Sequence, residues 1–222
     1  MSQDNQYAPF NPLDRLNLAA SVGRALLERD PVPLDAVPDV VGAGIYLIYY
    51  CGDFPTYEPL SDVNNNGEWK APIYVGKAIP KGGRKGGLKV NTKPGKDLKN
   101  RLKDHRDSIA SADNLSLKHF SCRFLTVEDI WIPLGENLMI TIFSPLWNST
   151  IDGFGNHTPG KGRFNQKRSR WDVLHPGREW AAMCQARPET AKMIAMEAEE
   201  HLRSRPVKAT NLSLFSELQS SQ

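Results

Sequence analysis

The sequence predicts an α/β domain: a small, mostly antiparallel three-stranded sheet flanked by helices, with extensions at both ends. Three observations carry this. Gly44–Tyr50 and Pro72–Lys77 are short runs rich in β-branched and aromatic residues, bounded by Gly, Pro and Asn. Residues 119–126 alternate Phe120, Cys122 and Phe124 against Ser121, Arg123 and Leu125, which is the period of a strand. Between these runs lies a segment of helical period, 97–110. At 222 residues the chain suits one compact domain with extensions.

Residues 1–12 read as a loose arm. From Leu13 to about Glu28, apolar Leu13, Leu16, Ala20 and Leu27 mix with Arg15, Arg24 and Glu28 as in a moderately amphipathic helix. Pro31, Pro33 and Pro38 then end it and form a stiff connector. In the first strand Tyr46, Ile48 and Tyr50 share one face, and Ile45, Leu47 and Tyr49 the other. Antiparallel pairing with the second strand can set Tyr46 and Tyr74 side by side. Considered as two isolated strands, these tyrosines are ordinary core residues several times more often than catalysts.

The polar insert 51–70, with Tyr57, Glu58, Asn64 and Trp69, is long for a hairpin loop, and such loops are often functional. Residues 79–97 are rich in Gly and Lys but lack the spacing of a Walker loop. Lys81, Arg84, Lys85, Lys89, Lys93 and Lys96 are expected to contact phosphates there. On the helix 97–110, Leu98, Leu102, His105 and Ile109 form one stripe, with Arg101 at its edge one turn before His105. A histidine and an arginine thus face the body of the protein.

After Pro133 and Gly135 a short helix aligns Glu136, Met139, Ile140 and Phe143 on one face, and Pro145-Leu146-Trp147-Asn148 closes it. Residues 149–178 are rich in Gly and basic residues. Lys161, Arg163, Lys167, Arg168 and Arg170, interleaved with Phe154, Phe164 and Trp171, suit a nucleic-acid surface. Pro188 is expected to open a last helix of about 15 residues to Arg203. The organisation expected is therefore an N-terminal arm and helix (1–40), a core (41–150) carrying the insert 51–70, a basic extension (151–186), and a terminal helix and tail (187–222).

Charge narrows the function. From Lys77 to Arg106 there are eleven Lys/Arg against two Asp, a local net of +9, which leaves −6 for the rest of a chain whose total is +3. Such asymmetry points to a polyanionic partner. Cys51, Cys122 and Cys184 are scattered without C-x-x-C spacing, so neither a disulfide framework nor a zinc knuckle is expected, and a reducing cytoplasm fits. The N-terminus lacks the basic start and apolar run of a signal peptide. The longest nearly apolar stretch, around 40–52, is too short to span a bilayer, so no membrane partner is expected.

Taken together, Gly44-Ile45-Tyr46, Tyr74-Val75-Gly76, Arg101, Glu136 and Asn148 resemble, in order and context, the GIY-YIG nuclease superfamily. The resemblance covers roughly residues 40–150. Trp147-Asn148-Ser149, Asp152-Gly153-Phe154-Gly155-Asn156-His157-Thr158-Pro159-Gly160 and His175-Pro176-Gly177-Arg178-Glu179-Trp180 look like the small type II restriction branch that cuts CCGCGG, which extends it to about residue 180. Two departures are valine for the isoleucine of YIG and a longer insert between the strands, 51–70, which fits a branch that uses inserts to read sequence.

The resemblance implies Mg²⁺-dependent hydrolysis of phosphodiesters in double-stranded DNA. Glu136 would hold the metal and Arg101 would grip the phosphate by its planar fork. Tyr46 would orient or deprotonate the attacking water, and His105 would accept its proton. Tyr74 would support this network, Lys77 would add positive charge, and Asn148 would hold the helix end against the site. The helices would aim Arg101, His105 and Glu136 towards one side of the sheet. His157 and His175 read as loop or core histidines. A palindromic target implies a homodimer at least. The rival readings are a repair or homing nuclease on the same module, and a sequence-specific DNA-binding protein whose nuclease site is vestigial.

Overall fold

The computed structural model describes residue 11 and residues 13–80, 94–158 and 164–204. The elements are α1 (Arg15–Leu27), β1 (Val32–Pro33), β2 (Gly44–Tyr50), α2 (Glu58–Asn64), β3 (Pro72–Ala78), α3 (Asp97–Ala110), β4 (Phe120–Thr126) and α4 (Ile132–Phe143). The short α5 (Leu146–Ser149), α6 (Arg170–Leu174) and α7 (Glu179–Ala182) follow, then α8 (Ala191–Ser204). Among the described residues the strands form one antiparallel sheet, ordered β1-β4-β2-β3.

The sheet has four strands where three were expected. Val32 and Pro33, read as connector, pair with Cys122 and Ser121 of β4. Proline lacks a ladder donor and is tolerated only at a sheet edge, which is where Pro33 lies. A two-residue strand between prolines leaves no periodic trace.

β2 is central and all seven of its residues are buried. Tyr46, Ile48 and Tyr50 face one apolar layer, built with Leu98, Leu102 and Ile109 of α3, Trp147, Trp171 and Ile194. Ile45, Leu47 and Tyr49 face a second layer, built with α1 and with Ile132, Leu138, Met139 and Ile142 of α4. A strand covered on both sides must be apolar throughout, as Gly44–Tyr50 is.

α3 spans the predicted residues, and its four-residue stripe is the buried set. α1 starts at Arg15 because Asp14 caps it, its side chain accepting from the Leu16 N–H at 2.8 Å. α4 begins earlier than predicted, at Ile132, with Pro133 in its first turn, where a missing N–H costs nothing. Its most buried residues are Ile132, Gly135, Leu138, Met139 and Ile142, so Glu136 flanks the apolar stripe rather than leading it. α8 begins at Ala191 rather than Pro188, because Thr190 caps it: its carbonyl accepts from Ile194 N and its hydroxyl from Met193 N.

The insert 51–70 is folded into the body. Asn64 is fully buried and its side chain bonds the backbone of Tyr50 and Ala71. Tyr57 accepts from Trp147 Nε1 at 2.9 Å, so its own proton goes to His175 Nε2 at 2.6 Å. His175 then carries its proton on Nδ1 and donates it to Asn114 Oδ1 at 2.9 Å. Every polar atom of this buried chain is satisfied, as low dielectric demands. His175 is the core histidine anticipated, and burial lowers it from 6.5 to about 3.

Candidate active site

The register places Tyr46 opposite Gly76 and Ile48 opposite Tyr74, so the two tyrosines lie diagonally on one face, ring centroids 6.3 Å apart. The glycine has a steric cause. A Cβ at Gly76 would lie 2.3 Å from the Tyr46 hydroxyl oxygen, so only glycine lets the phenol cross the β3 backbone.

α3 supplies the polar groups above this face. The Tyr46 hydroxyl lies 2.6 Å from His105 Nε2, and both residues are buried. Burial first, then the charges of Arg101, His157 and Arg178, hold His105 well below the ordinary imidazole value, so it is neutral. Burial, with Tyr74 adding to it, lifts Tyr46 well above 10, against a lowering pull from Arg101. The pair is a neutral phenol against a neutral acceptor.

Glu136 reaches the site from the opposite layer. α4 packs with α1 beneath Ile45 and Leu47. The three polar groups therefore do not come from one side of the sheet, as the sequence suggested. They converge at the β3 edge, where Lys77, paired with Ile45, turns to Glu136 at 2.6 Å between Nζ and Oε2. The Glu136 charge still bears on both Tyr46 and Tyr74. Its side chain is 13% exposed. Among the described residues no cluster of three or more His, Cys, Asp or Glu could cage an ion. The Glu136 carboxylate, paired with Lys77, would supply one oxygen ligand to a hard ion such as Mg²⁺, which keeps most of its sites for water and phosphate.

Asn148 does not merely close a helix. Its Oδ1 accepts from Val75 N and its Nδ2 donates to Val75 O, both at 2.8 Å. The side chain thus completes the outer ladder of β3 between Tyr74 and Gly76.

Sequence reasoning missed the loop 153–157. Phe154, expected to stack on nucleic acid, is buried against His105, ring centroids 4.4 Å apart and nearly parallel, and it also meets Tyr74 at 5.0 Å. Trp171 is likewise core. Arg101 Nη1 donates to His157 Nε2 at 2.5 Å and Nη2 to Gly155 O at 2.9 Å, so His157 belongs to the site. The loop is anchored by buried Arg178, which pairs with Asp172 at 2.6 Å and donates to the carbonyls of Gly153, Phe154 and Asn156. The motif Gly-Phe-Gly-Asn-His marked the segment, but nothing in it reveals where its carbonyls point.

Of the basic residues assigned to DNA, Lys81, Arg84, Lys85, Lys89, Lys93, Lys161 and Arg163 lie outside the described residues. Lys96 pairs with Asp39 on the surface at 2.7 Å, and Lys167 is exposed. Arg168 donates to the carbonyls of Ala181 and Ala182, and Arg170 pairs with Glu197. These two arginines tie the extension to α7 and α8.

Paired tyrosines on a small antiparallel sheet, an arginine and histidine from the next helix, a glutamate from the one after, and an asparagine on the strand edge define a GIY-YIG nuclease domain. The family model described as the Eco29kI GIY-YIG domain matches residues 39–202, well over half of the chain, and the chain belongs to this family, a restriction-type branch of these nucleases. No curated protein matches the chain. No described helix is long and apolar enough to cross a membrane.

Proposed function

We propose that the protein is a type II restriction endonuclease, acting in the cytoplasm as a homodimer at least. It hydrolyses both strands of DNA at a GC-rich palindrome, CCGCGG. The observation that carries this reading is the 2.6 Å contact between the Tyr46 hydroxyl and a neutral His105, beside Arg101 and within reach of the Glu136 charge.

Glu136 would hold Mg²⁺, which would supply positive charge for the phosphoryl oxygens and the departing 3′ oxygen. Tyr46 is fully buried, so the water it acts on enters with the phosphate rather than from bulk. With its proton on Nδ1, His105 accepts the Tyr46 proton at Nε2 while the Tyr46 oxygen takes a proton from the attacking water. The water oxygen bonds to phosphorus and the P–O3′ bond breaks. The 3′ oxygen leaves with a solvent proton, giving 5′-phosphate and 3′-hydroxyl ends. Arg101, which also bonds Tyr46 and Tyr74, binds the phosphoryl oxygens with its remaining guanidinium hydrogens. Tyr74 packs beside Tyr46, and Lys77 pairs with Glu136 at 2.6 Å.

Incubating a plasmid bearing one CCGCGG site with Mg²⁺, and sequencing the ends, tests this. Linear product with both ends at that site supports it. Intact plasmid at saturating protein refutes the enzyme, and linear product cut elsewhere refutes the site.

A further inference from the structure

We propose that His157 is a positioning residue: it holds the Arg101 guanidinium in its phosphate-binding orientation, from a loop that the C-terminal extension lends to the nuclease core. This rests on the nuclease reading above. Guanidinium has donors and no acceptor, so the 2.5 Å contact requires His157 Nε2 to be unprotonated. The second contact, Nη2 to Gly155 O, comes from the same loop, and two bonds to the two Nη atoms fix the guanidinium plane. A Cβ at Gly155 would lie 2.8 Å from Nη2 and 3.0 Å from the Tyr74 hydroxyl oxygen, so a larger residue there would displace the guanidinium. His157 Nδ1 lies 3.9 Å from Asp104 Oδ2, three residues after Arg101 on α3. A proton on Nδ1 faces that carboxylate and leaves Nε2 as the acceptor, so Asp104, His157 and Arg101 form a chain with one polarity.

The bridge borders an open cleft of about 470 Å³, and the His157 side chain is 63% exposed. The charged groups around it are Arg101, Asp104 and Asp107 from α3, and Arg178 and Glu179 from the facing segment. Without the His157 acceptor, Nη1 loses its partner in the loop, and the Gly155 carbonyl alone no longer fixes the guanidinium plane.

Single-turnover cleavage of a duplex carrying the recognition site compares wild type with His157→Ala and His157→Gln, glutamine being a neutral side chain whose amide oxygen accepts. Duplex affinity is measured in Ca²⁺. His157→Ala slows cleavage about tenfold with affinity changed less than about twofold, because an oriented grip matters most in the transition state. His157→Gln restores most of the rate. Wild-type rates for the alanine variant, or a glutamine variant that is as slow as alanine, overturn the proposal. Arginine ¹⁵N signals of the free protein give a readout without DNA: Arg101 Nη resonances are resolved in wild type and averaged by rotation in His157→Ala. Averaged resonances in both overturn the hold on Arg101. A wild type that cuts no DNA fails the nuclease reading alone, leaving that comparison to judge the grip.

Discussion

Arg178→Met tests how the extension supports the active site. Arg178 is enclosed, its side chain 4% exposed, with its guanidinium carbon 4.5 Å from the Trp171 ring centre and 4.7 Å from that of Trp180. Methionine retains an unbranched stem between those rings and removes the charge. Among the described residues, Asp172, 1% exposed, then keeps only the Ser169 hydroxyl, at 2.6 Å, to balance a buried carboxylate. Three loop carbonyls lose a donor as well, Gly153 keeping only the Asn156 N–H among the described residues. Breaking a buried pair by removing one partner costs about 3–5 kcal/mol. Urea unfolding measures this directly, and a single-turnover assay on the folded variant reads the released grip on Arg101. The companion double variant Asp172→Asn with Arg178→Met recovers much of the stability, because no buried charge remains unpaired. A loss below about 1 kcal/mol for Arg178→Met, or strictly additive single and double variants, refutes the reasoning.

Two further expectations concern stability. Asn148→Ala removes both bonds to Val75 and costs about 1–3 kcal/mol by urea titration; Asn148→Asp is worse, since it sets a carboxylate oxygen against the Val75 carbonyl, and an aspartate variant as stable as wild type contradicts the assigned geometry. In acid, His175 is held neutral to about 3 and His105 is shifted in the same direction, so the unfolded chain binds protons first. Stability is full above the ordinary value of 6.5 and falls as pH drops through that value towards 3, by up to about 1.4 kcal/mol per pH unit for each histidine. The carboxylates of Asp39 and Glu189, lowered to about 2, titrate below this upper window. The urea midpoint therefore declines from pH 7 to 5, and a flat profile there contradicts neutral buried histidines.

The parts legible in the sequence are those written in periodicity. The phase of Leu98, Leu102 and Ile109 carries His105 inward with it, and the apolar run of β2 marks a strand covered on both faces. What was hidden depends on contacts between distant segments. Tyr57 and Asn64 looked like residues of a polar reading loop, yet they are buried against His175, Trp147 and the backbones of Tyr50 and Ala71, and no local pattern records those partners. Arg168 and Arg170 had the composition of a DNA surface, but main-chain carbonyls and Glu197 engage them. Glu136 was readable as a carboxylate beside an apolar stripe. That it arrives from the far layer follows from the order β4-β2-β3, which sequence alone did not fix.

The Tyr46–His105 relay is tested most directly by Tyr46→Phe, which removes one oxygen from a fully buried ring and leaves its packing against Gly76 and His105. Single-turnover rates on duplex DNA with Mg²⁺ are compared for wild type and variant, with urea midpoints confirming that both are folded. The account predicts a folded variant that binds DNA and cuts at least about a hundredfold more slowly, the scale of general-base catalysis. Cleavage by Tyr46→Phe within a few-fold of wild type would return Tyr46 to the core and remove the relay from the mechanism.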